Sequence, residues 1–322
     1  MPAASTIGTA SPRSTTMLRV ASLALIAHAG LSLFSAFAFT TFLAPPPSAW
    51  LQTPRNQEVL AFMFTYGGQT TVVLGAIAGL GFLAHCVGVR HALVVFAISF
   101  SLSLTAELTG TSTGYPFGVY SYTDQLGYKI AGLVPFNIPT SWFYMLVASL
   151  AICGRLLPAR DDNTSRWWWA MIAGLVLTAW DVSMDPAMVK TRHWLWNVPE
   201  LTSHSPLARF IGTPFFFGMP LTNWLGWLLT GVLVARAMLS VVPPSVWTSR
   251  VSPYRFPLLL YAVNGFLPIG ICLGQDMIVA GVLGTAAMVL PLALALRAAP
   301  RRVARPDRDT VFGDVATAGR LR

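Results

Sequence analysis

Charge is what this sequence lacks most. Only 10% of its 322 residues are charged, 54% are hydrophobic, and the mean hydropathy is +0.60. Soluble domains carry about 25% charged residues, so a water-soluble globular fold is excluded and a polytopic membrane protein is indicated. The charge that is present is lopsided, +9 in sum and nearly all of it arginine. Nucleic-acid binding is one reading of that balance. Arginine that orients a membrane protein is the stronger one, and no nucleic-acid partner is expected. Cys86, Cys153 and Cys272 all fall in apolar runs without metal spacing. They make neither a disulfide framework nor a metal site, and read as small buried hydrophobes.

Familiar catalytic signatures are also missing. The histidines His28, His85, His91, His193 and His204 form no H-x-x-x-H or H-x-x-H-H cluster, which argues against a membrane di-iron hydroxylase or desaturase. No G-x-G-x-x-G opens a strand–helix unit, which argues against a flavin or nicotinamide enzyme. Neither a G-x-S-x-G elbow nor a Walker loop occurs. Asp181-x-x-x-Asp185 matches the second acidic motif of membrane prenyltransferases, but their first motif is absent. Asp161-Asp162-Asn163 falls on the opposite side of the membrane, so a double magnesium–diphosphate site is incomplete. The expected chemistry therefore needs no metal and no cofactor.

What is there is a series of apolar runs, at 20–43, 59–87, 91–108, 138–157, 167–188, 213–239 and 256–296. The runs at 59–87 and 91–108 each suffice for the ~30 Å hydrocarbon core at 1.5 Å per residue. The last run is too long for one span, and Gly274-Gln275-Asp276 splits it into a short seventh and a full eighth helix. The expected fold is all-α, a transmembrane bundle of about eight helices, or seven if the first is cleaved. Ala36-Phe37-Ala38 looks like a cleavage site, but its run exceeds the 7–15 residues of a signal-peptide core, so a retained helix is favoured. One transmembrane domain is expected over 19–297. A Ser/Thr/Ala/Pro-rich tail (1–18) and a basic tail (298–322) flank it, and both read as disordered.

Arginine placement sets the topology. One side holds Arg13, Arg19, Arg90, Arg155, Arg160, Arg166, Arg236, Arg250, Arg255 and the basic tail. The other holds Arg55, Lys129, Lys190, Arg192 and Arg209. The positive-inside rule then places both termini in the cytoplasm of a multi-pass cell-membrane protein.

The stretch 107–139 sits between two apolar runs yet carries groups a membrane helix avoids: Glu107, Asp124, four tyrosines and three prolines. With helix three leaving the membrane at Glu107, Asp181 lies ~21 Å along helix five, in the outer half of the bilayer. Asp185 is one turn further on the same face. Asn223 lies at a similar depth in helix six, so acids and amides converge on one side. A carboxylate in hydrocarbon costs about 2.5–3.5 kcal/mol, which makes Asp181 functional by default. Asp185 has the alternative of pairing with Lys190 near a helix end, and Glu107 that of plain interfacial polarity. Asp124 suits a turn. Tyr115, Phe117, Tyr120, Trp142, Trp180, Trp224 and Trp227 suit an interfacial belt, or a wall whose ring faces stabilise a carbocation.

The segment Thr113-Gly114-Tyr115-Pro116-Phe117-Gly118-Val119-Tyr120-Ser121-Tyr122 resembles the CruF-type carotenoid 1,2-hydratase family, also called bisanhydrobacterioruberin or gamma-carotene hydratases. The likeness continues through 134–139, 180–186 and 217–227, in the family's order, and covers roughly 60–290. It implies an integral membrane enzyme that adds water across the terminal double bond of an acyclic carotenoid end. The implied partners are that carotenoid, the lipid bilayer and other enzymes of carotenoid synthesis. Such a hydration needs a general acid and a positioned water. On the residues, Asp181 is the expected acid, with Asp185 or Glu107 orienting water. Asn137 and Asn223 hold the water or the acid. Tyr115, Phe117, Tyr120, Asp124, Trp142, Trp180, Trp224 and Trp227 bind substrate. A membrane cyclase or prenyltransferase-like enzyme uses the same protonation. In a proton-coupled transporter, Asp181 and Asp185 would relay protons.

Overall fold

The computed structural model describes residues 12–197 and 214–298. Of the tails expected to be disordered, 1–18 and 298–322, residues 12–18 instead open the first helix, and 1–11 and 299–322 lie outside the described residues, as do His204 and Arg209. Eight helices are long and apolar enough to cross a membrane, in agreement with the expected all-α polytopic bundle. They are α1 (Pro12–Thr41), α2 (Pro54–Val87), α3 (Val89–Thr113), α4 (Asn137–Leu156), α5 (Asn163–Lys190), α6 (Leu221–Val241), α7 (Phe256–Gly274) and α8 (Ile278–Arg297). α4 is buried on all sides and forms the axis; a helix apolar all round belongs inside. Leu23, Ile26, Phe62, Val282 and Leu290 face outward, as lipid-facing side chains do.

Several boundaries differ from the sequence reading. α1 begins at Pro12, well before the apolar run at 20. α3 continues past Glu107 for another turn and more. Its polar end stays helical because Thr105, Thr109, Thr111 and Thr113 each donate to the carbonyl four residues back, which satisfies hydroxyls without water. Gly114, at φ +82°, then stops the helix in the left-handed region. α5 runs through Pro186 to Lys190, so Asp185 is not at a helix end. The sixth helix starts at Leu221, not 213. The preceding residues form a hairpin, β5 (Pro214–Phe216) with β6 (Met219–Pro220), turned at Phe217 and Gly218, both with positive φ.

The even connections meet at one end of the bundle. Buried Arg155, at the end of α4, donates to the carbonyls of Ser252, Pro253, Tyr254 and Ala295. Asp161 holds the Ser245 amide and hydroxyl at 2.9 and 2.6 Å. Asp162 caps α5 by accepting from the Ser165 amide, and Asn163 accepts from Arg236. The acidic cluster 161–163 thus braces the arginine-bearing end. Hydrogen bonds to a charged donor contribute about 1.5–3 kcal/mol each. Arg155→Gln is therefore expected to lower stability by roughly 3 kcal/mol or more, read as a fall in melting temperature of the solubilised protein.

The odd connections meet at the other end. β1 (Tyr120–Tyr122), from the α3–α4 connection, pairs antiparallel with β4 (Trp194–Trp196), which follows α5. Gln275, between α7 and α8, donates to the Leu43 carbonyl after α1. In the α3–α4 connection, β2 (Lys129–Ile130) pairs with β3 (Val134–Pro135). These pieces form a cap over the bundle, and the unusual residues gather beneath it.

Candidate active site

Two glycines seat the cap. The Phe117 ring is clasped between Gly110 of α3 and Gly226 of α6. A Cβ on either would lie 2.7 or 2.6 Å from that ring, closer than any real contact. The Phe117 carbonyl accepts from Thr222 at the start of α6. The cap is thereby fixed to α3 and α6, and β1 hangs from it over the end of α3.

β1 delivers its tyrosines to Glu107. Residues i and i+2 of a strand share a face, so Tyr120 and Tyr122 point together. Tyr120 donates to Glu107 Oε2, and Tyr122 donates to the same oxygen at 2.7 Å. Trp142 Nε1 of α4 donates to Oε1 at 3.2 Å. Buried Glu107 is thus gripped by three donors. Burial, then the Glu107 charge, pushes both phenols well above their usual range, so they stay protonated and keep donating.

The second acidic group lies on α5. Asn223 of α6 donates through Nδ2 to Asp181 Oδ2 at 3.0 Å and to Asp185 Oδ2. The one-turn spacing does place both acids on one face, as expected. The two carboxyls also lie within hydrogen-bonding reach of each other, and Trp194 within reach of Asp185. Asp181 is fully buried, and its Oδ1 has no partner among the described residues.

A cavity of about 410 Å³ opens between these groups. Glu107, Asp185, Asn137 and Asn223 supply its polar wall. Asn137 is buried, and neither amide atom has a partner among the described residues. Aromatics close the rest: Trp142 stacks on Trp227 at 4.4 Å, Trp180 meets Trp227 edge-on, and Phe117, Tyr120, Trp194 and Trp196 complete the box. His193 lines it too. Burial pushes that imidazole down to about 4, so it is neutral at neutral pH. Among the described residues no lysine or arginine lines the cavity.

The structure therefore brings together Glu107, Phe117, Tyr120, Asn137, Trp142, Trp180, Asp185, Asn223 and Trp227 from the sequence expectations. It separates others. Asp181 touches the site only from behind Asp185 and Asn223, off the cavity wall. Tyr115 is 78% exposed on the cap. Asp124 is fully exposed and paired with Lys129 at 2.7 Å. That hydrogen-bonded ammonium holds its carboxyl below the usual range, and the turn reading suffices. Trp224 packs on Phe216 of the hairpin, away from the cavity. Sequence reasoning missed Tyr122, Trp194 and Trp196. The signal was available in two aromatic–x–aromatic triplets, Tyr120-x-Tyr122 and Trp194-x-Trp196, each with the period of a strand.

The fold and site define a polytopic helical membrane protein with a carboxylate and aromatic cavity near one end. Residues 67–291 match the family described as carotenoid biosynthesis protein, and the chain belongs to that family. The resemblance read from the motifs is borne out at that level. The chain is 30% identical to the bisanhydrobacterioruberin hydratase of Haloarcula japonica over 125 residues, 39% of this chain and 37% of that protein. The match thus spans little more than a third of the relative. No solved structure matches the chain.

Proposed function

We propose that this protein is a carotenoid 1,2-hydratase, which adds water to the terminal C1–C2 double bond of an acyclic carotenoid end to give a tertiary alcohol. The observation that carries the reading is the single cavity in which Asp185 and Glu107, two separately held carboxyl groups, face one aromatic box. The similarity to a hydratase supports it. The chemistry is balanced without redox. A carboxylic acid gives its proton to C2, the less substituted carbon, and a tertiary cation forms at C1. Water adds to C1, and its proton passes to a carboxylate. Ring faces of Trp142, Trp180 and Trp227 favour the cation.

We assign the acid to Asp185 rather than to the expected Asp181, because Asp185 lines the cavity and Asp181 does not. Asp181 stands behind it, held by the same amide, and Asp185 regains its proton across the cavity from Glu107, which closes the cycle. Glu107 accepts the water's proton. Asn137 orients that water through its two unpartnered amide atoms.

Expression in a lycopene- or gamma-carotene-producing bacterium tests the reading. Pigments heavier by one water, with the added oxygen taken from labelled water, are expected. Unchanged mass with shifted absorption identifies a cyclase instead, and oxygen taken from molecular oxygen identifies a hydroxylase.

Orientation belongs to the same proposal. The arginine-bearing end braced by Arg155 faces the cytoplasm, with both termini there, and the cap and cavity lie toward the outer face of the cell membrane. Cytoplasmic reporters fused after Arg160 and Arg250 are expected to be active, and those within 110–135 and 190–210 inactive. The reverse pattern would invert the site.

A further inference from the structure

The cavity is longer than the acidic site needs. Beyond the aromatic box it runs between α1 and α2, where Phe34, Ala38, Gly67 and Gly68 line it. Phe34 and Trp50 line it and are also 53% and 50% exposed, so it opens outward there. Phe37, Phe62 and Tyr66 are exposed on the same two helices, an apolar face of the kind that meets lipid. One continuous cavity thus joins a polar, aromatic end to an apolar mouth in the side of the bundle.

Gly67-Gly68 marks this mouth. Glycine inside a helix costs about 1 kcal/mol relative to alanine, so a packing reason is expected. Other glycines here have one: a Cβ on Gly79 or Gly110 would collide with Tyr144 or Phe117. Among the described residues a Cβ on Gly68 would meet no atom within 4 Å, and one on Gly67 only the tip of Met63 at 3.8 Å. Protein neighbours do not require these two glycines, yet both border the cavity.

We infer that the slot between α1 and α2 at Gly67-Gly68 seats the chain of a long, acyclic polyene and admits it sideways from the bilayer. The inference rests on the hydratase reading for what happens at the far end. A cavity of about 410 Å³ is near the lower end of the roughly 300–1,000 Å³ that enclose drug-sized ligands. It holds an end group and the first part of a chain as long as the ~30 Å hydrocarbon core, and the rest must leave through the mouth. Between α1 and α2 its walls are mostly apolar, as a hydrocarbon chain requires, with Ser32, Ser35 and Asn56 among them. The α1 wall and the first turns of α2 precede the family-matched segment 67–291. The acidic end and Gly67-Gly68 lie within that segment.

The test separates chain binding from chemistry. Wild type, Gly68→Leu, Gly68→Ala and Ala38→Leu are expressed in lycopene-producing cells and purified, each also in an Asp185→Asn background that does not turn over. Lycopene carried per protein is read from visible absorption, and hydrated pigment by mass. Filling a packed slot costs about 1–3 kcal/mol, so Gly68→Leu is expected to lower bound lycopene by about tenfold or more in both backgrounds. Gly68→Ala is expected to keep it. Ala38→Leu, which fills the slot from α1, is expected to repeat the loss should Gly68→Leu fold poorly. Normal loading in folded Gly68→Leu and Ala38→Leu overturns the inference, as does lost hydration with lycopene still bound. A wild type that carries lycopene, loses it in these variants and makes no hydrated product upholds the slot and overturns the hydratase reading. An Asp185→Asn protein with an unaltered slot that carries none overturns the slot.

Discussion

Asp185→Asn is expected to leave a folded, carotenoid-loaded protein whose hydration falls by about a hundredfold or more, within the 10²–10⁴ range for loss of a general acid. Asparagine keeps the shape of the side chain and an oxygen to accept the Asn223 amide, so packing around α5 and α6 survives. It has no acidic proton to give. Asp181→Asn makes the informative contrast. Asp181 is fully buried behind the cavity wall and touches the site through Asn223 and Asp185. Its replacement leaves the wall intact and removes only the group behind the donor, so a smaller loss of about tenfold is expected. Hydration rates with carotenoid content per protein measure both. A larger loss in Asp181→Asn than in Asp185→Asn would return the acid to Asp181. Near-normal turnover in both would remove the acid from α5 altogether.

That contrast also shows how far the sequence could be read. Hydropathy and arginine placement are properties of whole segments, so the number and order of the spans were legible, although some of their ends were not. The i, i+4 spacing of Asp181 and Asp185 fixed their shared face, and the common depth of Asn223 anticipated the amide between them. Which of the two acids faces the cavity was not legible. It depends on the rotation of α5 against α6, set by close approaches such as Gly231 on Gly174, where a Cβ would lie 3.2 Å from the opposing Cα. The start of α6 was misjudged because Phe215, Phe216 and Phe217 prolong the apolar run, while the turn is made by backbone angles at Phe217 and Gly218. The cap escaped for a related reason. Three-residue strands carry too little pattern to be seen singly, and β1 pairs with a partner some seventy positions away. Glu107 was placed at a helix exit because the apolar run ends at 108, whereas Thr109, Thr111 and Thr113 beyond it bond to their own backbone and carry the helix on.

Glu107→Gln is expected to cut hydration as deeply as Asp185→Asn, but at the other half of the reaction, and isotope exchange distinguishes the two. Glu107 is held by Tyr120, Tyr122 and Trp142 and lines the cavity with Asp185. In the proposed mechanism it accepts the water's proton and is idle while Asp185 protonates the alkene. Glutamine leaves an oxygen for the tyrosine donors but accepts no proton, so water capture is expected to fall by about a hundredfold or more. The cation at C1 still forms. It can lose either hydrogen from C2 and return to the alkene. In deuterium oxide, lycopene recovered from Glu107→Gln membranes is therefore expected to carry deuterium at C2, and lycopene from Asp185→Asn membranes none. Tyr122→Phe, which removes one donor to Glu107, is expected to lose about tenfold in rate, near one hydrogen bond to a charged group, with little exchange. Mass spectrometry of recovered substrate reads all three. A purely structural role for Glu107 would lower hydration and exchange together. Exchange in Asp185→Asn but not in Glu107→Gln would swap the acid and the base.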